Sequence, residues 1–166
     1  MRYILGKLGL FISCGFIYYM IECIYRGYSH WSMFILAGLL GAFVIGGVNN
    51  ILSFELGYIK QVLIVTALCT IAEGICGLIV NVWLGLNVWD YSNMPCGTFF
   101  FGQCNVVFCI AWLLIVGLFA IFYCDAYEYY IMKIDPCPYY KINGKMFLRF
   151  KERKEKWIVW WKFLRL

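Results

Sequence analysis

A chain of 166 residues that is 64% hydrophobic and only 14% charged cannot bury so much apolar surface in a water-soluble fold, which excludes an ordinary soluble domain. The net charge of +5 would suit nucleic acid if it covered one face, but ten of the 14 basic residues follow Met132, beyond the last apolar stretch. That basic end reads as a topology signal and a contact for anionic lipid, with no nucleic-acid partner, and no phosphate loop of the P-loop type gives the chain an ATPase of its own.

In chain order, Arg2 and Lys7 precede an apolar run over 8–25. A basic start and apolar middle suit a signal peptide, but no small-residue cleavage site follows, so the run reads as a retained first span. Glu22 and Arg26 are four apart and can pair on one helix face. An exposed pair at the boundary and an acid facing the bundle interior both remain open for Glu22. A polar connector leads to a second span over 33–52, where Gly38, Ala42 and Gly46 form a small-residue face suited to close helix packing. Asn49 and Asn50, near its exit, are placed to hydrogen-bond to another helix or to headgroups.

The third span, 59–84, carries one acid, Glu73, near its middle. A carboxyl group at that depth is costly and demands a partner or a function. Thr66, Thr70, Glu73, Gly77 and Asn81 recur every three or four residues and form a narrow polar stripe on one helix face. Such a stripe faces protein or a water-filled cavity. Glu73 either fixes packing, by bonding to Asn49, Asn50 or a backbone carbonyl, or touches a substrate, ion or proton.

The loop that follows is polar and aromatic. Trp83 and Trp89 suit an interfacial belt. Asp90 can turn the chain by accepting from nearby backbone N–H groups, and Tyr91 and Ser92 place hydroxyls beside it. His30, the sole histidine, lies in another loop, so no nucleophile–base pair can be assembled and the chain reads as a non-enzyme. The nine cysteines lack paired zinc spacing, which leaves no metal site and no cofactor. Cys96 and Cys104 are candidates for a disulfide, although the odd count and apolar surroundings favour free thiols.

A fourth span over 104–124 ends at Asp125 and Glu128. Pro136 and Pro138 stop the helix, and Asn143-Gly144 predicts a hairpin between 139–142 and 145–150. A partly amphipathic interfacial helix is expected over 157–166, with Lys151, Arg153, Lys154, Lys156, Trp157, Trp160 and Trp161 as the lipid-contacting residues. The fold class is therefore an all-α polytopic membrane protein. A four-helix transmembrane domain occupies 1–132 and a basic, aromatic juxtamembrane tail occupies 133–166. With both termini cytoplasmic, every basic residue except Arg26 lies inside, as the positive-inside rule expects for the plasma membrane.

Ile21-Glu22-Cys23-Ile24-Tyr25, Asn81-Val82-Trp83-Leu84-Gly85, Asn87-Val88-Trp89-Asp90-Tyr91-Ser92 and Gly102-Gln103 resemble small bacterial membrane proteins of the ABC-transporter permease type IV, or CmpB-like, family. These are typical of Gram-positive bacteria and their phages. The resemblance covers roughly 18–125. It implies that Glu22, Glu73, Trp89, Asp90, Tyr91, Ser92, Gly102 and Gln103 are the characteristic polar residues. It also implies transport, with a separate ATPase subunit or a homo-oligomer as partner. The stretch between Pro95 and Gly102 departs from the family pattern. The expected function is a permease-like transport component without its own ATPase. The alternative is a structural, regulatory or holin-like membrane protein that transports nothing.

Overall fold

The computed structural model describes residues 1–47 and 52–153. Asn49, Asn50, Lys154, Lys156, Trp157, Trp160 and Trp161 lie outside the described residues. The chain is mostly helical: α1 (Arg2–Arg26), α2 (Trp31–Ile45), α3 (Tyr58–Trp83) and α4 (Val106–Met132). By length and composition, α1, α3 and α4 could each cross a membrane, whereas α2 is shorter among the described residues. Two small antiparallel ribbons modify the all-α expectation: β1 (Thr98–Phe99) with β2 (Cys104–Asn105), and β3 (Tyr139–Ile142) with β4 (Lys145–Arg149).

Local chemistry sets the helix ends. Gly27 stops α1 in the left-handed region (φ 81°), where its N–H reaches the Cys23 carbonyl at 2.9 Å. His30 caps α2 by accepting from the Ser32 N–H through Nδ1 at 3.3 Å, so the lone histidine has a structural task. Asn105 caps α4, its Oδ1 accepting from the Val107 N–H at 2.8 Å.

The expected spans need correction at the outer ends of the first and fourth helices. The first helix starts at Arg2 rather than at 8, and the fourth runs to Met132 rather than ending at 124. Both extensions carry charge into the bundle, and the charges meet. Lys7 and Glu128 are each less than a tenth exposed, and the ammonium pairs with the carboxylate at 2.5 Å. Lys7 also donates to the carbonyls of Ala42 (2.7 Å) and Gly46 (3.3 Å). Residues that read as boundary markers can enter an apolar helix pair once they neutralise each other.

Wide π turns occur at Leu40–Ile45, Leu78–Trp83, Val116–Ala120 and Tyr127–Met132. Three of these four segments offer a backbone carbonyl to a distant side chain: Ala42 to Lys7, Gly117 to the Tyr58 hydroxyl (2.5 Å) and Tyr129 to Arg153 (2.6 Å). Such turns interrupt the regular ladder and commonly mark functional or closely packed places. Ala42 is fully buried and Gly38 lies against Phe11, so the small-residue face packs α2 on α1.

The predicted hairpin forms, with Asn143 (φ 50°) and Gly144 (φ 77°) both left-handed, as a two-residue I′ turn requires. It docks on the same end of the bundle as Lys7 and Glu128. Tyr140 is fully buried among Phe54, Tyr58 and Phe122, and its hydroxyl donates to Asp125 at 2.6 Å. Outside it, Lys141 pairs with Glu55 at 2.7 Å, and the Tyr139 hydroxyl donates to the same carboxylate at 2.7 Å.

Two predictions follow from this end of the molecule. Lys7→Met should lower stability by about 3 kcal/mol or more, because it strips a buried carboxylate of its cation. Lys7→Met combined with Glu128→Leu should recover much of that loss, as read by thermal unfolding in micelles. The second concerns pH. The Lys141 ammonium and the Tyr139 hydroxyl hold Glu55 below the ordinary glutamate range. A carboxyl whose pKa is lower when folded stabilises above its unfolded value and loses that contribution as pH falls through the folded one. Hairpin docking, followed by proteolysis after 132, should therefore weaken below about pH 4, and Glu55→Gln should remove that step.

Candidate functional site

The polar stripe of α3 faces the loop over 84–105 and the start of α4. Glu73, 2% exposed, accepts from the indole N–H of Trp112 at 2.8 Å and from the Tyr91 hydroxyl at 3.4 Å. Its partners are thus a residue of α4 and one of the loop. Neither is the backbone carbonyl considered from sequence, and Asn49 and Asn50 lie outside the described residues. Thr70 contacts Cys109 through Oγ1 (3.9 Å) and accepts from the Cys104 thiol through its carbonyl (3.5 Å). All nine cysteines are free, and the buried Cys104 is turned toward α3 rather than toward the exposed Cys96.

Asn81 pins the loop with three bonds. Its Nδ2 donates to the Trp89 carbonyl (2.8 Å) and to Gln103 Oε1 (2.6 Å), while its Oδ1 accepts from the Val88 N–H (2.7 Å). Trp89, read as an interfacial belt residue, is buried at 5% exposure, and its indole donates to the Gln103 carbonyl at 3.1 Å. The correction has a plain cause: an indole N–H needs an acceptor when buried, and the loop folds back to supply one. Trp83, by contrast, is 79% exposed.

Two glycines make the close approach possible. A Cβ at Gly77 would fall 2.7 Å from the Gln103 side chain. Gly102 sits at φ 79°, and a Cβ there would collide with the Ser92 hydroxyl and Asp90 Oδ1. The Tyr91 N–H donates to the Gly102 carbonyl at 2.8 Å, which ties the two loop arms together. Asp90 makes the turn expected of it by accepting from the Ser92 N–H at 2.8 Å. Ser92 holds the Asp90 carboxyl below the usual aspartate range, and both residues are exposed at the loop surface.

Trp89, Tyr91, Gly102 and Gln103 therefore converge on Glu73 and Asn81, with Asp90 and Ser92 at the rim. Glu22 keeps its own partners, Arg26 at 3.2 Å and the Ser29 hydroxyl at 2.6 Å. One turn earlier on α1, Tyr18 stacks on Trp112, the Glu73 partner, with centroids 5.3 Å apart. In the tail, Lys151 is exposed and Arg153 turns inward, pairing with Asp135 at 2.6 Å and lying 4.2 Å from the Tyr129 ring. The sequence reading passed over Trp112, Asn105 and the Lys7–Glu128 pair. A tryptophan inside an apolar span and an asparagine just before one were the available signals.

Between α1, α2 and α4 lies an apolar crevice of about 60 Å³, lined by Cys14, Tyr18, Gly41, Trp112 and Cys124 among others. The Cys14 and Cys124 sulfurs approach to 3.9 Å there. Among the described residues, no group of three or more metal-ligating side chains is brought together.

Replacing Asn81 with Leu should take that partner from the Trp89 carbonyl, the Gln103 amide oxygen and the Val88 N–H, at about 1–3 kcal/mol for each group left buried and unsatisfied. The expected result is faster protease cleavage within 84–105, with the hairpin unaffected. Gly102→Ala should produce the same signature through the collision with Ser92 and Asp90. The chain matches no family model, no curated protein and no solved structure.

Proposed function

We propose that the protein is a four-span plasma-membrane protein with cytoplasmic termini, acting as a permease-like component of a transporter whose ATPase is a separate subunit. The convergence of Trp89, Tyr91, Gly102 and Gln103 on Glu73 and Asn81 carries this reading, because residues marked by the resemblance act together as one unit. Charge placement supports the orientation: Arg2, Lys60 and the ten basic residues of the tail fall on one side and Arg26 on the other. The inward Lys7 sits on the side of the tail.

The same geometry narrows how such a component works. The polar stripe that a path within one chain would follow is occupied by Tyr91, Gln103 and Trp112. A substrate path then runs between this chain and a second subunit, and the knot holds the loop over 84–105 as a rigid outer surface. That occupancy also favours the second reading, a structural or regulatory membrane protein, in which the knot is only a brace.

Affinity purification in mild detergent with mass spectrometry separates them. Recovery of an ATP-binding subunit with the wild type, reduced by Asn81→Leu at matched expression, is the expected result. Recovery of self-oligomers alone, unchanged by the substitution, would move the assignment to the structural reading.

A further inference from the structure

Where the hairpin meets the start of α3, the two enclose a groove of about 640 Å³ lined by Glu55, Gly57, Lys60, Lys141, Asn143 and Gly144 among others. We propose that this groove holds the headgroup of one anionic phospholipid, with the acyl chains lying on the outward face of α3. The proposal rests on the reading that α3 crosses the membrane.

Charge favours this occupant. Among the described residues lining the groove there are two cations, Lys60 and Lys141, and one acid, Glu55. Glu55 neutralises Lys141 at 2.7 Å, so the exposed Lys60 remains as the uncompensated charge. Lys141 is itself braced, its ammonium 5.4 Å from the Tyr139 ring.

Position favours a lipid over a soluble anion. Ile59 and Leu63 are each 54% exposed and lie one helical turn apart on α3. They form an apolar track that begins at the groove, since Ile59 also lines it. On the hairpin side, Met146, Phe147 and Leu148 are exposed between Lys145 and Arg149. Apolar side chains bracketed by cations suit the boundary between headgroups and acyl chains. A lipid seated there would touch both a membrane helix and the hairpin, linking hairpin docking to the composition of the leaflet.

The test uses the full chain in micelles, titrated with phosphatidylglycerol or phosphatidylcholine and read by native mass spectrometry. The wild type should retain phosphatidylglycerol preferentially. Lys60→Gln should reduce that preference about fivefold, the effect of one cation near an anionic lipid. Glu55→Gln should raise it by removing the opposing acid, and Arg2→Gln, outside the groove, should leave it unchanged. Equal retention of both lipids by the wild type, or a preference insensitive to Lys60→Gln and Glu55→Gln, would overturn the proposal. So would complete displacement of the lipid by soluble glycerol phosphate. Alkaline carbonate extraction of cell membranes keeps the two readings apart. Release of the wild type would defeat the membrane assignment, whereas retention with no lipid preference would defeat the groove alone.

Discussion

A carboxylate in an apolar bundle must be met by donors from its own chain, and Glu73 is met by two that come from different segments. Trp112 fixes α4 against α3, and Tyr91 brings the loop onto both. Once those positions are set, Asn81 lies eight residues further on, about two helical turns, within reach of Trp89 and Gln103. The loop then has one arrangement in which the Trp89 indole and the Gln103 carbonyl satisfy each other. Because Glu73, Asn81, Trp89 and Gln103 are all buried, each of these bonds constrains the next.

The opposite end obeys the same rule with full charges. Lys7 with Glu128 and Arg153 with Asp135 are both pairs that join segments far apart in sequence or closing a turn. Tyr140 adds a neutral donor to Asp125 and carries the hairpin into the aromatic cluster of Phe54, Tyr58 and Phe122. The bundle is thus closed at both ends by polar contacts, while its outward faces remain aliphatic: Ile110, Leu114 and Leu118 recur every four residues along α4, all more than half exposed.

Apolar runs and turn chemistry were legible because they are local. The uninterrupted run of α3 and the Asn143-Gly144 turn need no knowledge of what lies elsewhere in the chain. Polar residues inside the bundle were harder, since their cost depends on partners that sequence does not place. Asp125 and Glu128 read as the end of a span because an unpartnered acid would end one. Tyr140 and Lys7 remove that penalty, and α4 continues to Met132. Trp89 looked interfacial for the same reason, its acceptor being a carbonyl fourteen residues later. The stripe on α3 was visible as a periodicity, but its occupation by the chain's own loop was not.

The separation of 121 residues between Lys7 and Glu128 bears on how the protein is made. During synthesis the first helix is complete long before its counter-charge leaves the ribosome. Until then the Lys7 ammonium has no carboxylate to meet it, and because burying an unpaired charge is costly, that end of α1 stays solvated. Arrival of the fourth helix supplies the carboxylate and lets that segment settle into its final register. Completion of the bundle is therefore timed by α4, and chains truncated before Glu128 leave Lys7 without its carboxylate.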